Sequence, residues 1–108
     1  MDDRGYEVVF ERVDDALANE ICAFWMDNQA LTDSQEARRR TAEVVCVARN
    51  AASEIVGVNS VYVSGLNHPA QPYYFYRIFV RKTDRVLGLS TRMRHLCVEH
   101  LRVKGVER

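Results

Sequence analysis

The sequence predicts a single α/β domain of the α+β kind: a mixed, mostly antiparallel sheet flanked by helices, in the order β-α-α-β-β-β-α. Three observations lead there. A chain of 108 residues holds one domain, residues 1–108. Its apolar residues change from strand-like to helix-like periodicity and back along the chain. Its composition, 47% hydrophobic and 28% charged, excludes collagen-like, mucin-like and disordered chains.

Tyr6-Glu-Val-Val-Phe-Glu-Arg-Val13 is rich in β-branched and aromatic residues and predicts a first strand. Asp14 and Asp15 offer N-caps, and Leu17, Ile21, Phe24 and Trp25 then mark one face of a helix. Asp33 with Glu36 predicts a capping box opening a second helix over 34–43, its Arg38-Arg39-Arg40 run forming a solvated face. Residues 44–48 predict a strand, 50–53 a turn and 54–64 the partner strand, with Gly57 marking a bulge or a close backbone approach. A loop over 65–72 precedes the strongest strand, 73–80, and a basic turn spans 81–88. Leu89, Met93, Leu96, Cys97, His100 and Leu101 trace one face of the last helix, which Gly105 stops.

Fifteen acidic and fifteen basic residues cancel, so no global field recruits nucleic acid or an anionic membrane. The cancellation hides an asymmetry. Residues 1–67 carry twelve acidic and six basic groups, whereas 68–108 carry three and nine. The basic end suits either a phosphate-bearing partner or a solvated helix face. Cys22, Cys46 and Cys97 are odd in number and too far apart for a ligand knuckle, which predicts reduced, buried thiols and no metal. His95 and His100 fall on different helix faces and His68 in a loop, so none is read as catalytic. The acidic start, Met1-Asp2-Asp3-Arg4, is unlike a signal peptide, and the expected compartment is the cytoplasm.

The stretch that carries chemistry runs from 73 to about 104. A strong strand entering a short turn that opens a helix is a ready anion site, because the first helical amides lack partners and carry the positive end of the dipole. Arg81, Lys82 and Arg85 add charge there, while Gly88 and Ser90 keep the approach open for a diphosphate. A P-loop and a dinucleotide fingerprint are both missing.

Arg85-Val-Leu-Gly88-Leu-Ser90 begins five residues after Val80. At that spacing, and with the seven elements in this order, the chain resembles the GNAT N-acyltransferases, whose cofactor motif reads Arg/Gln-x-x-Gly-x-Gly/Ala. Ser90 stands where glycine or alanine is usual, Lys82 replaces a common proline, and Val86-Leu87 replace a usual Gly-Lys pair. The resemblance implies acetyl-coenzyme A as acyl donor and a small-molecule or peptide amine as acceptor. It places pantetheine along Ile78, Phe79 and Val80 and the diphosphate on Val86, Leu87, Gly88, Leu89, Ser90 and Thr91, with Arg85 nearby. A strand amide, that of Phe79, is expected to steady the carbonyl oxygen.

Family members continue with further strands and a helix, where this chain reaches Gly105-Val-Glu-Arg108. The expectation is a truncated, cofactor-binding portion whose 73–80 strand keeps an open edge and pairs with a second copy. The general base is unassigned, Glu54 being a distant candidate. Tyr74 and Tyr76 either line the acceptor site or pack against helices, and packing is favoured, as it is for Trp25. Arg77 lies in a cleft or pairs with an acid. The competing reading is a non-catalytic coenzyme A-binding or dimerisation module. An RNA-binding sheet built on residues 73–77 and 81 is disfavoured by overall neutrality and the early helices.

Overall fold

The computed structural model describes residues 5–64, 73–85 and 88–103. Strands β1 (Gly5–Val8), β2 (Val44–Arg49), β3 (Ile55–Ser64) and β4 (Tyr73–Val80) form one sheet in the order β1-β2-β3-β4. Every described pair is antiparallel. Helices α1 (Asp15–Asp27) and α2 (Ser34–Arg40) cover one face, and α3 (Leu89–Val103) covers the other. His68 and the rest of the 65–72 loop, Val86, Leu87 and Gly105 lie outside the described residues.

β2 is buried on both faces, which is why Val44–Ala48 reads as an unbroken apolar run. Val44 and Val47 meet α1, while Val45, Cys46 and Ala48 meet α3. Two consecutive residues on one face require a bulge, and the β2–β3 register slips between Val44 and Cys46. A second slip, between Ala48 and Arg49, puts Val56 and Gly57 together on the α3 face. Gly57 therefore marks both a bulge and a close approach, since a Cβ there would stand 3.0 Å from Met93 Sδ.

Asp14 caps α1 by accepting from the Leu17 amide at 2.8 Å, and Ile21, Phe24 and Trp25 are buried as their spacing requires. Trp25 is thus a core residue. Leu89, Met93, Cys97 and Leu101 do the same for α3. His95 stays exposed on that helix, while His100 packs edge-on against Phe10.

Three expectations need correction. The first strand ends at Val8, because the chain turns through Glu11 at φ 64° to reach the α1 cap. The second helix ends at Arg40 and tightens into a 3-10 turn, Thr41–Glu43, where the Thr41 hydroxyl donates to the Arg38 carbonyl. Asp33 caps it, but Glu36 does not close a reciprocal box: its carboxylate is held by Arg39 and Arg40.

Candidate functional site

β4 pairs only with β3 among the described residues, and in perfect register from Gly57↔Val80 to Ser64↔Tyr73. The Arg81 amide donates to Val56 at 2.7 Å, continuing that ladder. Antiparallel alternation then turns the main-chain groups of Phe75, Arg77 and Phe79 toward β3. Those of Tyr74, Tyr76, Ile78 and Val80 face the outer edge, which has no partner strand among the described residues. The Phe79 amide, expected to steady a carbonyl oxygen, therefore belongs to the β3 ladder. The edge amides at that depth are those of Ile78 and Val80.

The α3 N-terminus lies beside this edge. Gly88 is its N-cap: its carbonyl accepts from the Arg92 amide at 2.9 Å, and its φ of +92° is the left-handed region that favours glycine. The amides of Leu89, Ser90 and Thr91 are the first donors of a helix beginning at Leu89 and so lack intrahelical partners. A cleft of about 300 Å³ joins edge and helix end, lined by Ile78, Phe79, Val80, Arg85, Leu89 and Ser90. Arg85 Nε donates to the Val80 carbonyl at 2.9 Å, and its guanidinium lies 5.5 Å from the Phe79 ring centre. This fork is held at the mouth with its terminal nitrogens uncommitted among the described residues. Amides without intrahelical partners, a positive dipole end and a fixed arginine suit a diphosphate.

Six of the ten residues expected to hold cofactor thus line one cleft. Gly88 and Thr91 share the same helix turn without lining it, and Val86 and Leu87 are outside the described residues. Arg81 does not add charge here. It sits on the α1 face, bonded through Nε to Asp84 at 2.6 Å and paired with Glu54 at 3.5 Å. Lys82 is exposed in the 3-10 turn Lys82–Asp84.

A second cleft, about 330 Å³, lies on the other side of β4 and shares Ile78 and Phe79 with the first. Its apolar wall comes from Trp25, Ala30, Leu31 and Val58. Its polar wall is Ser60, Arg40 and Arg77. Arg77 both lies in a cleft and pairs with an acid, Glu43, at 3.3 Å. Its guanidinium also stacks 3.9 Å above the Tyr62 ring, which in turn stacks on Phe75. Arg40 was missed by the sequence reading, which took the α2 arginines for a solvated face. Its side chain is only 25% exposed.

No carboxylate or histidine lines either cleft among the described residues. Glu54 lies elsewhere, tied to Asn50 and Arg81, which hold its carboxyl below the usual range. Tyr76 points to α3: its hydroxyl accepts from Asn59 Nδ2 at 3.2 Å, and burial pushes its pKa up to about 12. That is a packing role; the side chain of Tyr74 is outside the described part. Burial likewise raises the Cys46 thiol to about 12 and Cys97 to about 11, so neither is an activated nucleophile. Among the described residues no three His, Cys, Asp or Glu side chains gather as metal ligands, and no helix is long and apolar enough to cross a membrane.

The sequence matches no protein-family profile and no curated protein. The structure is similar to the crystal structure of an aminoglycoside acetyltransferase from an uncultured soil metagenomic sample. The TM-score is 0.64 at 16% identity, over 95% of this chain and 74% of that one. At that identity the likeness carries the architecture alone. The architecture, a four-stranded antiparallel sheet with three helices, is consistent with a GNAT-like acetyltransferase fold.

Proposed function

We propose that the chain is an acyl-coenzyme A dependent N-acyltransferase, with acetyl-coenzyme A as donor and an amine as acceptor. The observation that supports this best is that two clefts share Ile78 and Phe79 in their walls, one of them reaching the first residues of α3, Leu89 and Ser90. The residues fit the donor. Leu89, Ser90 and Thr91 amides and Arg85 suit its diphosphate, and the open-edge groups of Ile78 and Val80 suit an amide-bearing arm. When bound, the donor supplies a thioester whose carbonyl carbon is open to attack by an amine.

An edge amide at Ile78 or Val80 donates to that carbonyl oxygen as charge develops on it; losing one such donor costs about 10²–10³ in rate. The second cleft holds the amine against the shared Ile78–Phe79 wall, so that proximity supplies much of the acceleration. With no base lining either cleft among the described residues, the amine enters neutral and its proton leaves to water; as the C–N bond forms the C–S bond breaks, and coenzyme A departs as its thiol. The similar structure's stated acceptor class, aminoglycosides, is polycationic. Arg40 and Arg77 oppose such a ligand, so we assign no aminoglycoside to this chain.

The missing base favours a second reading, a coenzyme A-binding module without turnover. Calorimetry with acetyl-coenzyme A, followed by thiol release on adding primary amines, separates the two. Binding with release supports the transferase, and binding without release supports the module. No heat and no thermal shift overturn both.

A further inference from the structure

Five side chains between α2 and β4 form an alternating chain of charge. Arg40 Nε meets Glu36 at 2.7 Å, and Arg39 meets the same Glu36 at 2.7 Å. Arg39 also reaches Glu43 at 3.8 Å, and Glu43 pairs with Arg77 at 3.3 Å. Three cations thus share two carboxylates, and both ends of the chain are arginines. Glu36 is firmly ionised, its pKa lowered to about 2 by its hydrogen bonds from Arg39 and Arg40. One positive charge is left over, and the two end residues are the ones that line the second cleft.

Both end guanidinia are already fixed. Arg40 is held through Nε, leaving its terminal nitrogens without a partner among the described residues. Arg77 is held by Glu43 through Nη1 and by stacking on Tyr62, leaving Nε and Nη2 without a partner among the described residues. A fixed guanidinium edge in a half-buried wall is shaped for a carboxylate and loses little freedom on binding one. The facing wall of Trp25, Ala30, Leu31 and Val58 suits an apolar substituent.

We infer that the amine acceptor carries a carboxylate read by Arg40 and Arg77, with an apolar side chain against Trp25 and Leu31: an amino-acid-like primary amine. The inference rests on the acyltransferase reading for its amine, and on the charge chain for its carboxylate.

The test is calorimetry of the full chain, with and without coenzyme A. The ligands are L-phenylalanine, L-leucine and L-methionine, the matching decarboxylated amines such as phenethylamine, and spermidine as a polycation. At least one amino acid should bind ten- to a hundredfold more tightly than its decarboxylated amine. Arg40→Gln and Arg77→Gln should each remove most of that preference while acetyl-coenzyme A affinity stays within twofold, which also reports that the variants fold. Arg77→Lys should restore only part of it, because the charge returns without the planar edge. Equal or tighter binding of phenethylamine or spermidine, or no amino acid binding at all, overturns the inference even if acetyl-coenzyme A binds. Amino acid binding without acetyl-coenzyme A binding sustains the carboxylate site and sinks the transferase.

Discussion

Gly88 offers a test in which stability and ligand binding separate. It caps α3 at φ +92°, and a Cβ built there meets no atom of the described residues within 4 Å. A side chain therefore costs backbone strain without a clash. For an L-residue forced into left-handed backbone that strain is about 1–2 kcal/mol. In a domain of this size each kcal/mol lowers Tm by roughly 4–8 °C. Gly88→Ala should lose that amount, and Gly88→Asn less, because asparagine tolerates left-handed backbone better. The open space before Gly88 is the space a diphosphate needs to reach the amides of Leu89 to Thr91. Misaligning one hydrogen bond to a charged group costs about 1.5–3 kcal/mol, or roughly ten- to 150-fold in affinity. Scanning fluorimetry reads the first effect and calorimetry with acetyl-coenzyme A the second. If Gly88→Val folds and binds acetyl-coenzyme A as the parent chain does, the diphosphate is not on this helix turn and the donor assignment falls.

Three further outcomes are expected. Without a base lining either cleft, the logarithm of the acyl-transfer rate should climb with pH at unit slope toward the acceptor amine's own pKa; a plateau near pH 6–7 would reveal an imidazole at work instead. Folded Cys46, Cys97 and Tyr76 keep their protons to about pH 12, 11 and 12, whereas their unfolded counterparts ionise from about pH 9 upward. The unfolded chain then binds fewer protons, so stability should fall as pH rises above 9, and Cys46→Ala should flatten that fall in urea melts at pH 8 and 10; an unchanged slope contradicts the assignment. A second copy of the chain is expected to add to the β4 edge through the outward-facing main-chain groups of Tyr74 and Tyr76, and a strict monomer by sedimentation at high concentration removes that idea.

What was legible in the sequence was local. α1 and α3 could be placed because Ile21, Phe24 and Trp25, and Leu89, Met93 and Cys97, repeat at helical spacing and one face of each helix had to be buried. The start of α3 at Leu89 could be placed because the basic turn follows the end of β4 at a fixed distance. Arg81 was misassigned because its face depends on the pairing phase of β4, which only the Arg81–Val56 hydrogen bond reveals. The same phase decides that Phe79 offers a ring, and Ile78 and Val80 offer amides. Arg40 looked like one of three interchangeable surface charges. Its place in the cleft wall depends on Glu36 in the preceding turn, and Arg77, 37 positions away, joins it there across two carboxylates.

A donor arm lying along the outer border of β4 would be held by main chain, and every amino acid except proline brings the same peptide donor and acceptor. Side chains at Ile78 and Val80 can therefore drift among apolar types while the grip persists, each change answering only to the packing under α3. A binding surface of that sort leaves little trace in residue identity and a strong one in backbone shape. Divergent chains sharing it would be recognisable to one another by contour long after their letters had ceased to agree.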